Sequence, residues 1–214
     1  MNLSCNNSPR LADNALVIAT SNENKFFEIR TALGPLKMPV NFLKDFAKIP
    51  EAPETGSTFA ENARQKADFY FQHLNRPLLA EDSGLVIPAL QGFPGLHSAR
   101  IAKTDAERIR MVLEKMKQAL DRSAYYVCSM AFRTAEGICE AEGVCKGTLL
   151  QEPDGEQGFG YDPIFKPEDA PRTFGNMTIK EKSNYSHRAR AVHQLIPVIQ
   201  SYFSQERAAG TART

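Results

Sequence analysis

The sequence predicts an α/β fold with some antiparallel sheet. Three observations carry this: an apolar run, polar TSNENK and a helical pattern in succession over residues 16–33; further amphipathic helices between strand-like runs; and a hairpin signature over residues 126–144. A chain of 214 residues with 42% hydrophobic composition is long enough to bury one substantial core, or two small lobes flanking a cleft, and residues 15–204 are expected to form a single unit. Residues 1–14 read as a flexible N-terminal extension and residues 205–214, ending ERAAGTART, as a flexible tail with nothing to bury.

Leu16 to Ala19 form the first strand. In the helix that follows, Phe26, Ile29 and Leu33 share a face before Gly34 stops it. A second helix opens at a capping box, Thr58 to Glu61, with Ala63, Ala67, Tyr70 and Leu74 along one side and Pro77 as its stop. The runs LLA at 78–80 and LVI at 85–87 bracket polar EDSG, which predicts a strand interrupted by, or turning through, a functional segment. A third helix starts at the capping box Thr104 to Glu107 and carries Ile109, Val112, Leu113, Met116 and Leu120 as a core stripe. The alternation Tyr126, Cys128, Met130, Phe132 gives a strand with one apolar face, paired with Ile138–Val144 through the Ala135-Glu136-Gly137 turn. Gln151 to Thr173, bearing Gly, Pro and aromatic residues, reads as a functional loop. The last helix begins near Ser186 and sends Ala189, Val192, Leu195, Ile199 and Phe203 inward, with Pro197 bending it.

A formal net charge of +1 lacks the basic excess of a protein held by a nucleic acid's phosphate backbone, so no nucleic-acid partner is expected. No apolar run approaches the roughly 20 residues of a membrane span, and the start MNLSCNNSPR lacks a secretory h-region, which predicts a soluble cytoplasmic protein without a membrane partner. The four cysteines, at 5, 128, 139 and 145, show neither C-x-x-C pairing nor zinc-ligand spacing with the four histidines, and read as reduced thiols.

Four polar clusters fall at the ends or edges of these elements. Thr20-Ser21-Asn22-Glu23-Asn24-Lys25 links a strand end to a helix start, where free amides, the helix dipole and the lysine suit a phosphate; an ordinary capped helix fits the same residues. Glu54, with Glu81-Asp82-Ser83 after a buried run, offers the hard carboxylate oxygens that magnesium selects, although Asp82 as a turn cap and Glu54 in solvent is an equal reading. Phe159-Gly160-Tyr161-Asp162 joins close backbone approach to aromatic surface on which a purine can stack for ~1 to 3 kcal/mol, by analogy with single-stranded nucleic acids, or else plugs the core. The helix start His187-Arg188 can donate hydrogen bonds to acceptors such as a purine O6, while Lys182 can reach a base edge or a phosphate; a solvated basic helix end fits the same residues.

Taken together, VIATSNENK, ETGSTFAENARQKA, LLAEDSGLVIPALQGFPGLHSARIA, GFGYDPIF and EKSNYSHRARAV closely resemble the inosine/xanthosine triphosphate pyrophosphatase family, in that family's order from residue 17 to about 192. The resemblance implies an elongated α/β fold in which a mixed sheet and helices form two lobes around a central nucleotide-binding cleft, and usually a homodimer. It implies hydrolysis of non-standard purine nucleoside triphosphates (ITP, dITP, XTP) to the monophosphate and pyrophosphate with Mg2+, clearing deaminated purines from the nucleotide pool. Position by position, it puts the triphosphate on Thr20 to Lys25, the metal on Glu54 and Asp82, the general base at Asp82, and a phosphate-side lysine at Lys66. Ser83 corresponds to a substrate contact, Phe159 to Asp162 to the base-binding loop, and Lys182, His187 and Arg188 to residues that read the purine. Ser21, Pro53, Glu81, His97 and Ala189 depart from the common pattern without removing a proposed chemical group. The alternative is a Maf-type nucleotide pyrophosphatase acting on other modified nucleotides.

Overall fold

The computed structural model describes residues 15–46 and 49–211, so the expected N-terminal extension at 1–14 lies outside the described residues. The first strand is β1, Leu16–Ile18, wholly buried. Helix α1, Glu23–Ala32, follows on the expected face, with Phe26, Ile29 and Ala32 inward and Leu33 closing it. A short β2, Val40–Phe42, returns parallel to β1. Helix α2, Phe59–Leu74, starts where predicted but without the reciprocal box: the Thr58 hydroxyl accepts from the Glu61 amide, while the Glu61 carboxylate accepts from the amide and hydroxyl of Ser57 instead of the Thr58 amide.

Strand β3 is continuous from Leu78 to Val86 and corrects the expected interruption at EDSG. The polar residues stay in the ladder because β4, Ser123–Thr134, pairs antiparallel with β3 along its whole length, from Leu78 opposite Arg133 to Val86 opposite Tyr125. Period-two alternation then sends Glu81 and Ser83 to the face covered by α1 and the last helix, and Asp82 and Gly84 to the face covered by α2. One strand therefore supplies acids to both sides of the sheet.

Helix α3, Asp105–Lys115, has the reciprocal Thr104–Glu107 box. It buries Ile109, Val112 and, just past its end, Met116, but Leu120 lies beyond it, fully exposed, and leaves the predicted stripe. Strand β4 hairpins to β5, Gly137–Leu149, with Thr134 opposite Gly137. The expectation of one apolar face on β4 is also corrected. Tyr126 to Phe132 are buried without a break, because α2 packs on one side and α5 on the other. Within the Gln151–Thr173 stretch a short β6, Phe165–Pro167, pairs with β5 and completes a six-stranded mixed sheet in the order β2-β1-β3-β4-β5-β6. The one-turn α4, Ile179–Lys182, leads to α5, His187–Thr211.

Helix α5 buries Ala189, Val192, Leu195, Ile199 and Phe203 as predicted and contains Pro197. Among the described residues its backbone stays helical through the segment expected as a tail, to Thr211, since Gln, Glu, Arg and Ala are strong helix formers extending a helix already docked on the sheet, and residues 204–208 are exposed, with nothing to bury. Among the described residues, Cys128, Cys139 and Cys145 are unbridged. The seat of α5 is backbone on backbone. A Cβ at Gly143 would stand 2.0 Å from the His187 carbonyl oxygen and 2.6 Å from the Ala191 nitrogen. Gly143→Ala is therefore expected to lose about 1 to 3 kcal/mol of stability. An unchanged urea midpoint would contradict this packing.

Candidate functional site

The β1–α1 turn, β3, the β5–β6 loop and the loops before α2, α3 and α5 converge on one cleft with two chambers. The first is lined by Thr20, Ser21, Asn22, Lys25, Glu54, Lys66, Glu81, Asp82, Ser83 and Arg100; the second adds Ser83, Phe159 to Asp162, Lys182, His187 and Arg188. Asn22, Lys25, Ser83 and Ala99 line both, so the chambers are continuous. The four predicted clusters thus meet, with two exceptions. Glu23 and Asn24 line neither chamber, and Glu23 instead pairs with Lys44 at 2.8 Å. Helical spacing explains the correction: Asn22 and Lys25 are three apart and share a face, whereas the two residues between them turn away.

In the first chamber the Asn22 side chain caps α1 by accepting from the Lys25 amide at 3.1 Å, and the Lys25 ammonium meets Glu81 Oε1 at 2.6 Å. Lys66, on α2, makes a short contact with Glu54 Oε1 and lies 3.5 Å from Asp82 Oδ1 and 3.2 Å from the Glu81 carbonyl oxygen. Glu54 and Asp82 therefore lie within contact of a single ammonium, close enough to face one cation. Asn62, which sequence reasoning missed, donates to Asp82 Oδ2 at 2.9 Å and accepts from the Gly56 amide at 2.8 Å. Asp82 is thereby fixed with Oδ1 turned toward Lys66.

The chamber's lining carries four carboxylates, Glu51, Glu54, Glu81 and Asp82, against three cations, Lys25, Lys66 and Arg100. A polyanion entering that lining needs added positive charge. Hard carboxylate oxygens facing one another across a lysine fit a divalent ion whose remaining ligands come from water and phosphate. Among the described residues no three His, Cys, Asp or Glu side chains form a ready-made metal cage.

Beneath the cleft runs a ladder of alternating charge: Lys25, Glu81, Arg188, Glu28, Lys182, Asp162, with successive contacts of 2.6, 3.6, 2.7, 2.7 and 2.5 Å. Burial pushes the Glu81 and Glu28 carboxyls upward, but the cations beside each outweigh it and hold both below the usual range. Lys182, between Asp162 and Glu28, stays protonated despite its burial. Glu28 was not singled out from sequence, yet it lies one turn from Lys25 and beside the inward-facing Ile29, which is the signal that places it inside.

The second chamber presents unsatisfied polar atoms. Among the described residues, the buried side-chain nitrogens or oxygens without a hydrogen-bond partner are His187 Nδ1, His187 Nε2 and Arg188 Nε, all at this one place. The His187 ring lies parallel to Tyr126 at 4.6 Å, and burial, with Arg188 and Lys182 nearby, pushes its pKa well below the usual range. It is neutral at pH 7, one nitrogen a donor and the other an acceptor. Phe159 lies over the Lys182 and Arg188 head groups, 5.0 and 5.3 Å from its ring centre. Its loop is held by the Asp162 carboxylate, which accepts from the Phe159 amide at 2.9 Å, and by Asp105, which accepts from the Gly160 amide at 2.7 Å. Gly158 is obligatory there: its φ is +76°, and a Cβ would fall 2.0 Å from Asp162 Oδ2. Tyr126, Asp105 and Ser98, whose carbonyl oxygen accepts from the Tyr161 hydroxyl at 2.7 Å, also line the chamber, although sequence reasoning singled out none of the three as a site residue.

Comparison with known proteins extends this picture. The family model of the Ham1 family matches residues 16–198. A dITP/XTP pyrophosphatase of Prochlorococcus marinus (strain MIT 9313) is 42% identical over 202 residues, covering 93% of this chain and 98% of the relative. Another from Synechocystis sp. is 40% identical over 183 residues, covering 85% and 93%. Among solved structures, a HAM1 protein from Coxiella burnetii superposes with a TM-score of 0.77 at 38% identity, covering 87% of this chain and 98% of that one. The Staphylococcus aureus Ham1 protein gives 0.76 at 32% identity, covering 90% and 99%.

Proposed function

Because the chain belongs to the Ham1 family, we propose that it hydrolyses non-standard purine nucleoside triphosphates such as ITP, dITP and XTP to the nucleoside monophosphate and pyrophosphate. The observation that carries this reading beyond kinship is the coincidence, in one cleft, of paired acids beside lysines and of buried nitrogens without hydrogen-bond partners beside the Phe159 loop. The Maf-type alternative is not favoured, since the curated relatives are dITP/XTP pyrophosphatases.

In the proposed reaction water attacks the α-phosphorus and pyrophosphate leaves. Glu54 and Asp82 would hold a divalent ion, Mg2+ in our reading, which when bound offsets phosphate charge and acidifies water. Asp82 accepts the proton of the attacking water at Oδ1, the oxygen not held by Asn62. Glu81 is not available for that role, with one oxygen on Lys25 and the other facing Arg188 and the Cys128 thiol. Thr20, Ser21, Asn22, Lys25 and Lys66 bind and orient the phosphates, and Ser83 lies at the junction of the two chambers.

The purine is read by the second chamber. Its ring takes the place over Lys182 and Arg188 that the Phe159 ring covers, with Phe159 moving on its glycines to stack on the base. Hypoxanthine and xanthine offer an oxygen acceptor at position 6, whereas adenine offers an amino donor to the same donors. A buried mismatch leaves polar groups unpaired, so dITP is expected to exceed ATP in kcat/KM by ~10⁴-fold. Pyrophosphate release across a nucleotide panel, with and without chelator, tests both halves. Equal turnover of ATP and dITP contradicts the selectivity, and full activity in chelator contradicts the metal. Removal of deaminated purines from the cytoplasmic nucleotide pool, and a homodimer readable from solution molar mass, complete the proposal. No helix among the described residues is long and apolar enough to cross a membrane.

A further inference from the structure

Arg100 stands at the rim of the phosphate chamber, and its guanidinium makes a short contact with Glu54 Oε2 while Lys66 takes Oε1. Each oxygen of one proposed metal ligand is thus held by a different cation. The two cations are not equivalent. Lys66 is mostly buried and has Asp82 and the Glu81 carbonyl as further partners. Arg100 has a side chain 53% exposed, and among the described residues Glu54 is its charged partner. Its backbone is nevertheless fixed, because Arg108 donates to the carbonyl oxygens of Ala99 and Ala102 on either side of it, at 2.8 and 2.9 Å.

We propose that Arg100 is a phosphate-binding residue that exchanges partners: it caps Glu54 until a metal-bound triphosphate enters, then passes to a phosphate oxygen as Glu54 turns to the ion. A planar guanidinium on a clamped backbone suits this, since it pairs bidentately with carboxylate and phosphate alike. The exchange moves no covalent bond and no proton. It also explains how a lining with more carboxylates than cations accepts a polyanion, because the ion's arrival frees a cation already aimed into the chamber.

The inference rests on reading the cleft as a pyrophosphatase site, and its signature is a pair of effects of opposite sign. In calorimetric titrations, Arg100→Gln is expected to bind Mg2+ alone several-fold to about tenfold more tightly than wild type, because a competitor for Glu54 is gone. In saturating Mg2+ it is expected to bind inorganic tripolyphosphate about tenfold more weakly. Arg100→Lys, which keeps the charge, should return both values toward wild type. Weaker or unchanged Mg2+ binding, or unchanged tripolyphosphate binding, in Arg100→Gln overturns the exchange. Wild-type turnover of dITP is assayed in parallel. A wild type that releases no pyrophosphate from dITP refutes the functional reading, while the two titrations still decide the role of Arg100.

Discussion

Asp82→Asn is expected to lower kcat for pyrophosphate release from dITP by about 10³-fold at saturating Mg2+, since both a proton acceptor and a metal ligand are removed at once. The neighbours sharpen the expectation. Asn62 donates to Asp82 Oδ2 at 2.9 Å and Lys66 approaches Oδ1 at 3.5 Å, so both flanking groups are donors. An asparagine can accept from only one of them and must turn its amino group toward the other, at a cost on the order of 1 to 3 kcal/mol. A thermal melt of the variant therefore accompanies the kinetics, and the kcat loss is counted only for folded protein. Turnover within tenfold of wild type, with the same Mg2+ dependence, removes Asp82 from the role of base.

The case of Asp82 also indicates where sequence reasoning reaches and where it stops. That an acid follows LLA was visible in the sequence, but its place within a continuous strand was not. EDSG has poor β propensity, and its pairing is imposed by β4, some 45 residues away, which no local pattern encodes. The helices were readable because caps and apolar spacing are local: Thr58, Thr104 and the α5 stripe fall where predicted. Two-sided burial of β4 was not, because the polar Ser129 and small Ala131 look neutral until α2 covers them. Within the site, the residues proposed to touch a ligand, Arg100 excepted, were singled out through motifs. Their supports were not singled out: local spacing already turns Glu28 inward, whereas Asn62, Asp105 and Tyr126 are marked by partners distant in the chain. Glu23 and Asn24 show the converse: they belong to the same contiguous string, but a helix start turns only some of its members toward the cleft.

Glu28 carries the second large expected effect. Its two oxygens hold two buried cations, Lys182 through Oε1 at 2.7 Å and Arg188 through Oε2 at 2.7 Å, and those cations form the wall of the purine chamber. Glu28→Ala leaves both cations short of a partner although their side chains are buried, a loss of about 3 to 5 kcal/mol. Lys182 keeps Asp162 and Arg188 keeps the Ser83 hydroxyl, which favours the lower end. Glu28→Gln keeps the shape and removes only the charge, so comparing it with wild type isolates the ionic part. The pH dependence has a definite sign. Burial raises the Glu28 pKa, but Lys182 and Arg188 outweigh it, so the folded-state value lies below the ordinary 4.5. The carboxylate's contribution is therefore fully present above pH 4.5 and is lost as pH falls through that lower value. Urea midpoints of wild type and Glu28→Gln should stand apart at neutral pH and converge in acid. Because Lys182 and Arg188 lose their common anchor, the preference for dITP over ATP should fall together with stability. Identical midpoints at neutral pH, or a gap that widens toward acid, would show that Glu28 does not hold the two cations as an ionised bridge.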